Sequence, residues 1–377
     1  MSEQHYDIII VGAGPAGATL AHTLQGRGRR ILLMDKQAFP RDKTCAGWVT
    51  PAVWASLGIR PADYGRRHTL QPITGFRIGM MGQRAVDNDH GDEPVSYGIR
   101  RCEFDNYLLE RVTADKALNT PVKSILRSDD GWLINESFKA PLLIGAGGHF
   151  CPVARYMGKG PGSHELAVAA KEVEFEMTDA QVRSCAAQGE VPELWFCRDL
   201  KGYAWVFRKG RYLNIGLGRE DNHRLSEHLA EFIEDMKIHG RIPHDIPSHF
   251  KGHAYLLYAH ADRPMVQDGA LLIGDAAGLA YTQSGEGIRP AIESALIAAE
   301  VIQQAPDVTA PSLEPYAQAV MQRFGQRTGP EAQGLQLPNW IKQSLASGLM
   351  RSQWFTRKVV TERWFLHQEV PPLKQTG

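Results

Sequence analysis

The chain has 377 residues, 43% of them hydrophobic and 22% charged, as expected of one or two packed globular domains. Acidic and basic side chains balance at 42 each, and the absence of net charge argues against nucleic acid as the main partner. The five cysteines are scattered and form no Cys-x-x-Cys pair, and the 14 histidines show no metal-ligand spacing, so a reducing compartment and no metal site are expected. In chain order, the first element is the apolar run Tyr6 to Val11, which reads as a buried parallel strand. Gly12-Ala13-Gly14-Pro15-Ala16-Gly17 follows, then a helical stretch, Ala18 to Leu24, then a second apolar run, Ile31 to Met34, ending on Asp35. Strand, glycine turn, helix, strand and acid form the dinucleotide-binding fingerprint in its structural context. Gly12 permits the turn, Gly14 lets the backbone approach a pyrophosphate, and Gly17 lets the helix lie against the sheet. The helix N-terminus offers free N–H groups to phosphates, and Asp35 can accept hydrogen bonds from a ribose diol. The turn alone does not distinguish NAD from FAD.

The polar, glycine-rich stretch 66–94 reads as strands of a second domain. Glu103 to Val112 places Phe104, Tyr107, Leu108 and Val112 at helical spacing. Leu142-Leu143-Ile144 is a short buried strand. Between Ala167 and Gly216 the period becomes two, predicting an antiparallel sheet with one helix on its back, marked by Leu229, Phe232 and Met236. Tyr203 and Trp205 share one face of a strand, whereas Trp195 and Phe196 occupy opposite faces. Near the end of the core, Leu271-Leu272-Ile273-Gly274-Asp275 puts a carboxylate at the end of another buried strand, placed for a second ribose or ribityl hydroxyl. The loop Ser284-Gly285-Glu286-Gly287-Ile288 opens a long helix, Ala291 to Ile302. Its N–H groups suit the pyrimidine edge of a flavin, which becomes anionic on reduction, so FAD is the expected cofactor. Glu286 in that loop either relays a proton or solvates the loop.

These segments resemble the FAD-dependent oxidoreductases of the para-hydroxybenzoate hydroxylase-type fold, and within them the geranylgeranyl reductase-like branch. Beyond the fingerprint, Pro40-Arg41-Asp42-Lys43-Thr44-Cys45-Ala46-Gly47 is similar to that branch's Pro-x-x-Lys-x-Cys-x-Gly segment beside the flavin. Tyr203-Ala204-Trp205-Val206-Phe207 with Gly216-Leu217-Gly218 resembles its Tyr-x-Trp-x-Phe-Pro…Gly-x-Gly signature, associated with a lipid cavity. The Gly274-Asp275 segment also carries the resemblance, and Arg101-Cys102-Glu103-Phe104-Asp105 matches a looser Arg-x-x-Phe/Leu-Asp pattern of the wider superfamily. Two departures stand out. Arg208 replaces the proline after Phe207, which places a cation at the expected cavity rim. Gly147 and Cys151 replace the aspartate and serine of the usual Gly-Ala-Asp-Gly-x-x-Ser turn. The resemblance ties that aspartate to flavin and NADPH handling, so a separate electron donor is expected: a ferredoxin, a quinol or another flavoprotein.

The resemblance implies an α/β fold: a FAD-binding Rossmann-like domain of the glutathione reductase type, an antiparallel-sheet substrate domain and a helical C-terminal segment. The FAD domain is expected to be discontinuous (1–65, 95–165 and 265–305), with 66–94 and 166–264 forming the substrate domain and 306–377 the helical segment. Expected FAD contacts are Gly12, Gly14, Ala16, Gly17, Asp35, Lys36, Arg101, Gly274, Asp275, Gly285, Gly287 and Ile288. Cys45, Tyr203 and Trp205 are expected on the substrate side. Arg41 and Lys43 are candidate phosphate or carboxylate contacts. The implied activity is reduction of a C=C bond in an apolar, isoprenoid-like substrate. The alternative, favoured by Arg208, is hydroxylation of an aromatic small molecule or of a partner-protein side chain. Halogenases rank below both, because their Trp-x-Trp-x-Ile segment is not matched, and a non-enzymatic flavin protein ranks last. No apolar stretch reaches the roughly 20 residues of a spanning helix, and the N-terminal run is too short for a secretory leader, so a cytoplasmic enzyme is expected. The tail mixes Trp340, Leu345, Leu349, Trp354, Phe355 and Trp364 with Lys342, Arg351, Arg357 and Lys358. It reads as a helix packed on the core, a lid or partner-docking element, or a membrane-surface helix.

Overall fold

The computed structural model describes residues 3–158, 167–221, 223–328 and 338–373. The side chain of Trp340 and the expected domain junction at 165–166 lie outside the described residues. The fingerprint strand Ile8–Val11 sits in the middle of a six-stranded sheet, buried at every position. It pairs in parallel with Ile31–Met34 on one side and with Leu142–Gly145 on the other; Leu142–Gly145 in turn pairs in parallel with Ala270–Leu272. Both faces of these strands are covered, which is why their sequences are continuous apolar runs and not alternating ones. The helices Pro15–Leu24 and Ile288–Gln304 pack together against this sheet. Because the four strands run the same way, Asp35, Gly145 and the Gly274-Asp275 turn all emerge at one edge. That is the edge where open parallel sheets bind ligands.

The second large sheet has seven strands, in the order Lys251–Leu256, Ala167–Glu176, Tyr212–Arg219, Gly202–Lys209, Glu193–Phe196, Gly75–Met80 and Val86–Asp89. It is antiparallel as expected, except that Glu193–Phe196 and Gly75–Met80 run parallel. More than a hundred residues separate those two strands, long enough for the crossover that a parallel pair requires. One face places Ala204, Val206, Leu213, Ile215 and Leu217 under the helix Leu225–Ile238. The other face packs Leu194, Trp205 and Phe207 with Trp48, Phe76 and the tail residue Phe365, with Phe196 and Tyr203 half-buried against them. Trp195 and Phe196 divide between the two faces, as their alternation requires. This is the expected α/β fold: a Rossmann-like domain, a largely antiparallel sheet and a helical C-terminal segment.

The tail starts as the helix Asn339–Met350 and continues through Gln353–Phe355 into a widened helical run, Thr356–Phe365. The widening carries i→i+5 bonding, as from the Leu366 N–H to the Thr361 carbonyl (2.8 Å). Met350, Val360, Phe365 and Leu366 are buried against the sheet. Beyond them, Arg289 in the long helix donates to the carbonyls of His367 (3.4 Å), Val370 (2.7 Å) and Pro371 (3.3 Å). The tail is therefore packed on the core along most of its length. Leu345, Leu349 and Trp354 stay exposed, at 56, 47 and 68%. No helix among the described residues is long and apolar enough to cross a membrane.

Candidate functional site

One cavity runs from the glycine turn to the face of the seven-stranded sheet. At its first end, Gly12 has φ of +114°, and a Cβ there would overlap the Ala146 carbonyl, so the crossing of the two turns demands glycine. Gly14 faces the open cavity, and a Cβ there would meet only Arg41 Nη2, at 3.2 Å. The Ala13 and Gln37 N–H groups donate to the two oxygens of the Asp35 carboxylate, at 2.8 and 2.9 Å. That carboxylate is 9% exposed and held rigidly at the strand end. Ala16 and Lys36 also line this end. Gly17 and Gly274 do not line the cavity; they shape it from behind, Gly17 against the Gly12 carbonyl and Gly274 against Ala16.

Three cations line the middle. Arg101 makes a two-point ion pair with the fully buried Asp105 (2.8 and 2.9 Å), and Arg41 approaches the same carboxylate at 3.4 Å. Lys43 donates to His253 Nε2. Burial and the neighbouring Arg101 push Lys43 down to about 8. Burial and Lys43 push His253 down to about 2, so its ring stays neutral and accepts. His253 and Tyr255 carry no motif; their same-face alternation on the strand Lys251–Leu256 was the available signal.

At the far end, strand register explains the Tyr-x-Trp and Gly-x-Gly segments. Tyr203 lies opposite Gly218, and Trp205 opposite Gly216. A Cβ at Gly216 would enter the Trp205 ring, so the glycine makes the room that the indole occupies. The indole N–H donates to Asn214 Oδ1 (2.7 Å), and Asn214 Nδ2 donates to Glu172 Oε2 (2.7 Å) and to the Cys45 carbonyl (3.1 Å). Cys45 and Trp205 are thus fixed by one buried amide. Burial raises the Glu172 carboxyl to about 7. Tyr203 donates to the Ser284 carbonyl, joining the sheet to the glycine-rich loop. Arg208 is not at the cavity rim as expected. Its guanidinium reaches the Gly210 carbonyl (3.0 Å) and the Ala187 carbonyl (3.2 Å) at the far end of its strand.

Asp275 and the loop Ser284–Ile288 close the cavity from the long helix, whose N-terminus opens into it. A Cβ at Gly287 would come within 2.8 Å of Asp275 Oδ1, so bulk is excluded there as well. The donor set suits FAD. A glycine cradle with a guanidinium opposite suits a pyrophosphate, two strand-end carboxylates suit hydroxyls, and a helix N-terminus suits an anionic ring edge. Gly12, Gly14, Ala16, Asp35, Lys36, Arg101, Asp275, Gly285, Gly287, Ile288, Cys45, Tyr203 and Trp205 all line this one cavity.

Comparison with known proteins agrees with this fold. Residues 10–49 match the NAD(P)-binding Rossmann-like domain model. The digeranylgeranylglycerophospholipid reductase of Methanocaldococcus jannaschii is 28% identical over 314 residues, covering 80% of this chain and 77% of that one. In structure, a geranylgeranyl bacteriochlorophyll reductase-like protein from Thermoplasma acidophilum superposes with a TM-score of 0.77 at 21% identity, over 98% of this chain and 99% of that one. The halogenase PltM, solved with FAD, gives 0.66 at 15% identity, over 92% and 76%. The expected FAD-dependent oxidoreductase fold, with its resemblance to the geranylgeranyl reductase-like branch, holds.

Proposed function

We propose, for a chain that is similar in sequence and fold to the geranylgeranyl reductase-like FAD-dependent oxidoreductases, that it reduces C=C bonds of an isoprenoid-like lipid. The observation that carries this reading is the continuity of the cavity. A dinucleotide cradle at one end leads without a break to a wall built of Trp48, Tyr203, Trp205 and Tyr255. Bound FAD supplies the two-electron chemistry that such a reduction needs. The residues of the chain do the rest. Gly14, Arg41 and Arg101 hold the phosphates, Asp35 and Asp275 hold hydroxyls, and the loop Ser284–Ile288 holds the ring edge. Cys45, Tyr203 and Trp205 line the substrate side and exclude water from an apolar chain. Arg208, which had favoured an aromatic hydroxylase, points away from the cavity, so that reading keeps no residue in its support. Gly147, in place of the superfamily's aspartate, favours a separate electron donor over NADPH.

The direct test loads the protein with FAD, reduces it anaerobically with dithionite and adds a geranylgeranylated glycerol lipid. Flavin reoxidation in step with a product gaining two hydrogens per double bond is the expected result. Reoxidation by oxygen alone, with hydroxylation of an added aromatic acid, would overturn the assignment.

The substrate's source also gives the exposed tail patch a role as a peripheral membrane contact. Leu345, Leu349 and Trp354 project from the tail beside the exposed cation Arg351, a composition suited to an anionic lipid surface. Burying a large apolar side chain is worth about 1.5–3 kcal/mol. Trp354→Asn combined with Leu349→Asn should therefore weaken co-sedimentation with anionic vesicles by tenfold or more, on the order of 1.4 kcal/mol per tenfold. Vesicle binding equal to that of the unmodified protein would remove the patch from the lipid interface.

A further inference from the structure

Glu286 lies in the loop that opens the long helix and forms part of the cavity wall shared with Tyr203, Trp205 and Tyr255. It is 8% exposed. One carboxyl oxygen, Oε1, accepts the Arg289 N–H (3.2 Å), which fixes the side chain against the first turn of the helix. The other, Oε2, is buried and has no hydrogen-bond partner among the described residues. The groups facing the carboxyl are few. Arg289 and Glu293 face it from the helix, and Tyr203 and Tyr281 from the sheet and from the preceding turn. Arg289 does not ion-pair with it: its guanidinium is spent on Glu293 (2.9 Å) and on tail carbonyls. A buried carboxyl with an unfilled oxygen and no ion partner is favoured in its neutral form.

We propose that Glu286 is the general acid that delivers the second hydrogen to the substrate, a role that rests on the C=C reduction proposed above. Saturating one C=C bond takes two electrons and two hydrogens. Two electrons and one hydrogen come from reduced FAD, which is recharged by an external two-electron reductant. The other hydrogen arrives as a proton. Its bond to the Glu286 oxygen breaks, leaving the electron pair on the carboxylate, and a C–H bond forms at the second alkene carbon from the former π pair. The carboxylate regains a proton from water between turnovers. The tyrosines of the cavity are poorly suited to this task. Tyr203 already donates to Ser284, and burial pushes both Tyr203 and Tyr255 upward, making them weaker acids. Burial also pushes Glu286 up, to about 7, so it carries its proton below neutrality and loses it above.

The test uses FAD-loaded protein and the Glu286→Gln variant, which keeps the acceptor for the Arg289 N–H. Infrared titration supplies a readout apart from turnover. The wild type should show carboxylic-acid C=O absorption that fades as pH rises through about 7, and the variant should lose part of it. The absorption of Glu172, the other carboxyl raised to about 7, should remain. In single turnovers with dithionite-reduced protein, the wild-type rate should fall above about pH 7, and the variant should be slower by roughly 10²–10⁴-fold, with that limb gone. Glu286→Asp should restore the limb at reduced rate. A variant with the wild-type rate and pH profile overturns the role. A limb near pH 8 that persists in Glu286→Gln also overturns it, and transfers the proton to Lys43. If the wild type reduces no alkene at all, the reductase reading fails and this role fails with it; alkene reduction with an unaltered variant overturns this role alone.

Discussion

Gly14→Val should purify colourless and take up added FAD only weakly, while remaining folded. A Cβ at residue 14 would enter the cavity, meeting only the Arg41 guanidinium at 3.2 Å, so the branched side chain fills the space a pyrophosphate needs. Overpacking of this kind costs about 1–3 kcal/mol. Losing a charge-assisted N–H bond to phosphate costs about 1.5–3 kcal/mol more. Together these predict flavin binding weaker by roughly 10²–10⁴-fold. Flavin absorbance of the purified protein, followed by titration with FAD and circular dichroism, checks this directly. A variant that purifies fully yellow would remove Gly14 from the phosphate site. A variant that is unfolded would show instead that the turn, and not the ligand, requires glycine here.

Arg289→Met, just behind the loop that closes this cavity, should be strongly destabilising. Arg289 is 1% exposed and holds the fully buried Glu293 together with the carbonyls of His367, Val370 and Pro371. Arg323 is the second cation on Glu293 and also donates to the Pro371 carbonyl. Breaking one partner out of a buried ionic group strands the rest, at about 3–5 kcal/mol. Thermal denaturation of the FAD-loaded variant should show a clear drop in Tm. The loss of the guanidinium also removes the one cation among the described residues that lowers the Glu286 carboxyl, so its titration should move further upward in the infrared measurement. An unchanged Tm would mean that Arg323 alone satisfies Glu293 and that the tail carbonyls are solvated instead.

Much of the dinucleotide half was legible in the sequence because its constraints are local. Gly12, Gly14 and Asp35 lie within one βαβ unit, and each residue type answers to a backbone or hydrogen-bond requirement visible at that spacing. The Gly274-Asp275 turn was legible for the same reason. The substrate half depended on pairing across strands. Tyr203 and Trp205 could be placed on one face, but that Gly216 exists to seat the Trp205 indole follows only from the register between the two strands. His253, Asn214 and Glu172 belong to no motif, and they meet Lys43 and Cys45 only because strands distant in sequence are neighbours in the sheet. Arg208 was misplaced for a related reason. Its side chain follows the end of its strand toward Gly210, a direction set by the turn and not by its place in the signature.

The order in which the chain is made runs against the order in which the cavity is built. The strand Ile8–Val11 can pair early with Ile31–Met34, but its other neighbour, Leu142–Gly145, comes more than a hundred residues later. Asp275 and the loop Ser284–Ile288 follow later still, and the carbonyls that clamp the long helix belong to His367, Val370 and Pro371. Contacts so distant in sequence form slowly, and domains emerging from the ribosome fold as units when complete. A nascent chain halted before Leu142–Gly145 therefore carries a glycine turn with no wall opposite it, and one halted before Ala291 lacks part of the cavity lining. The long helix must be made before the whole cavity can form, so capture of FAD is expected late in synthesis or after it.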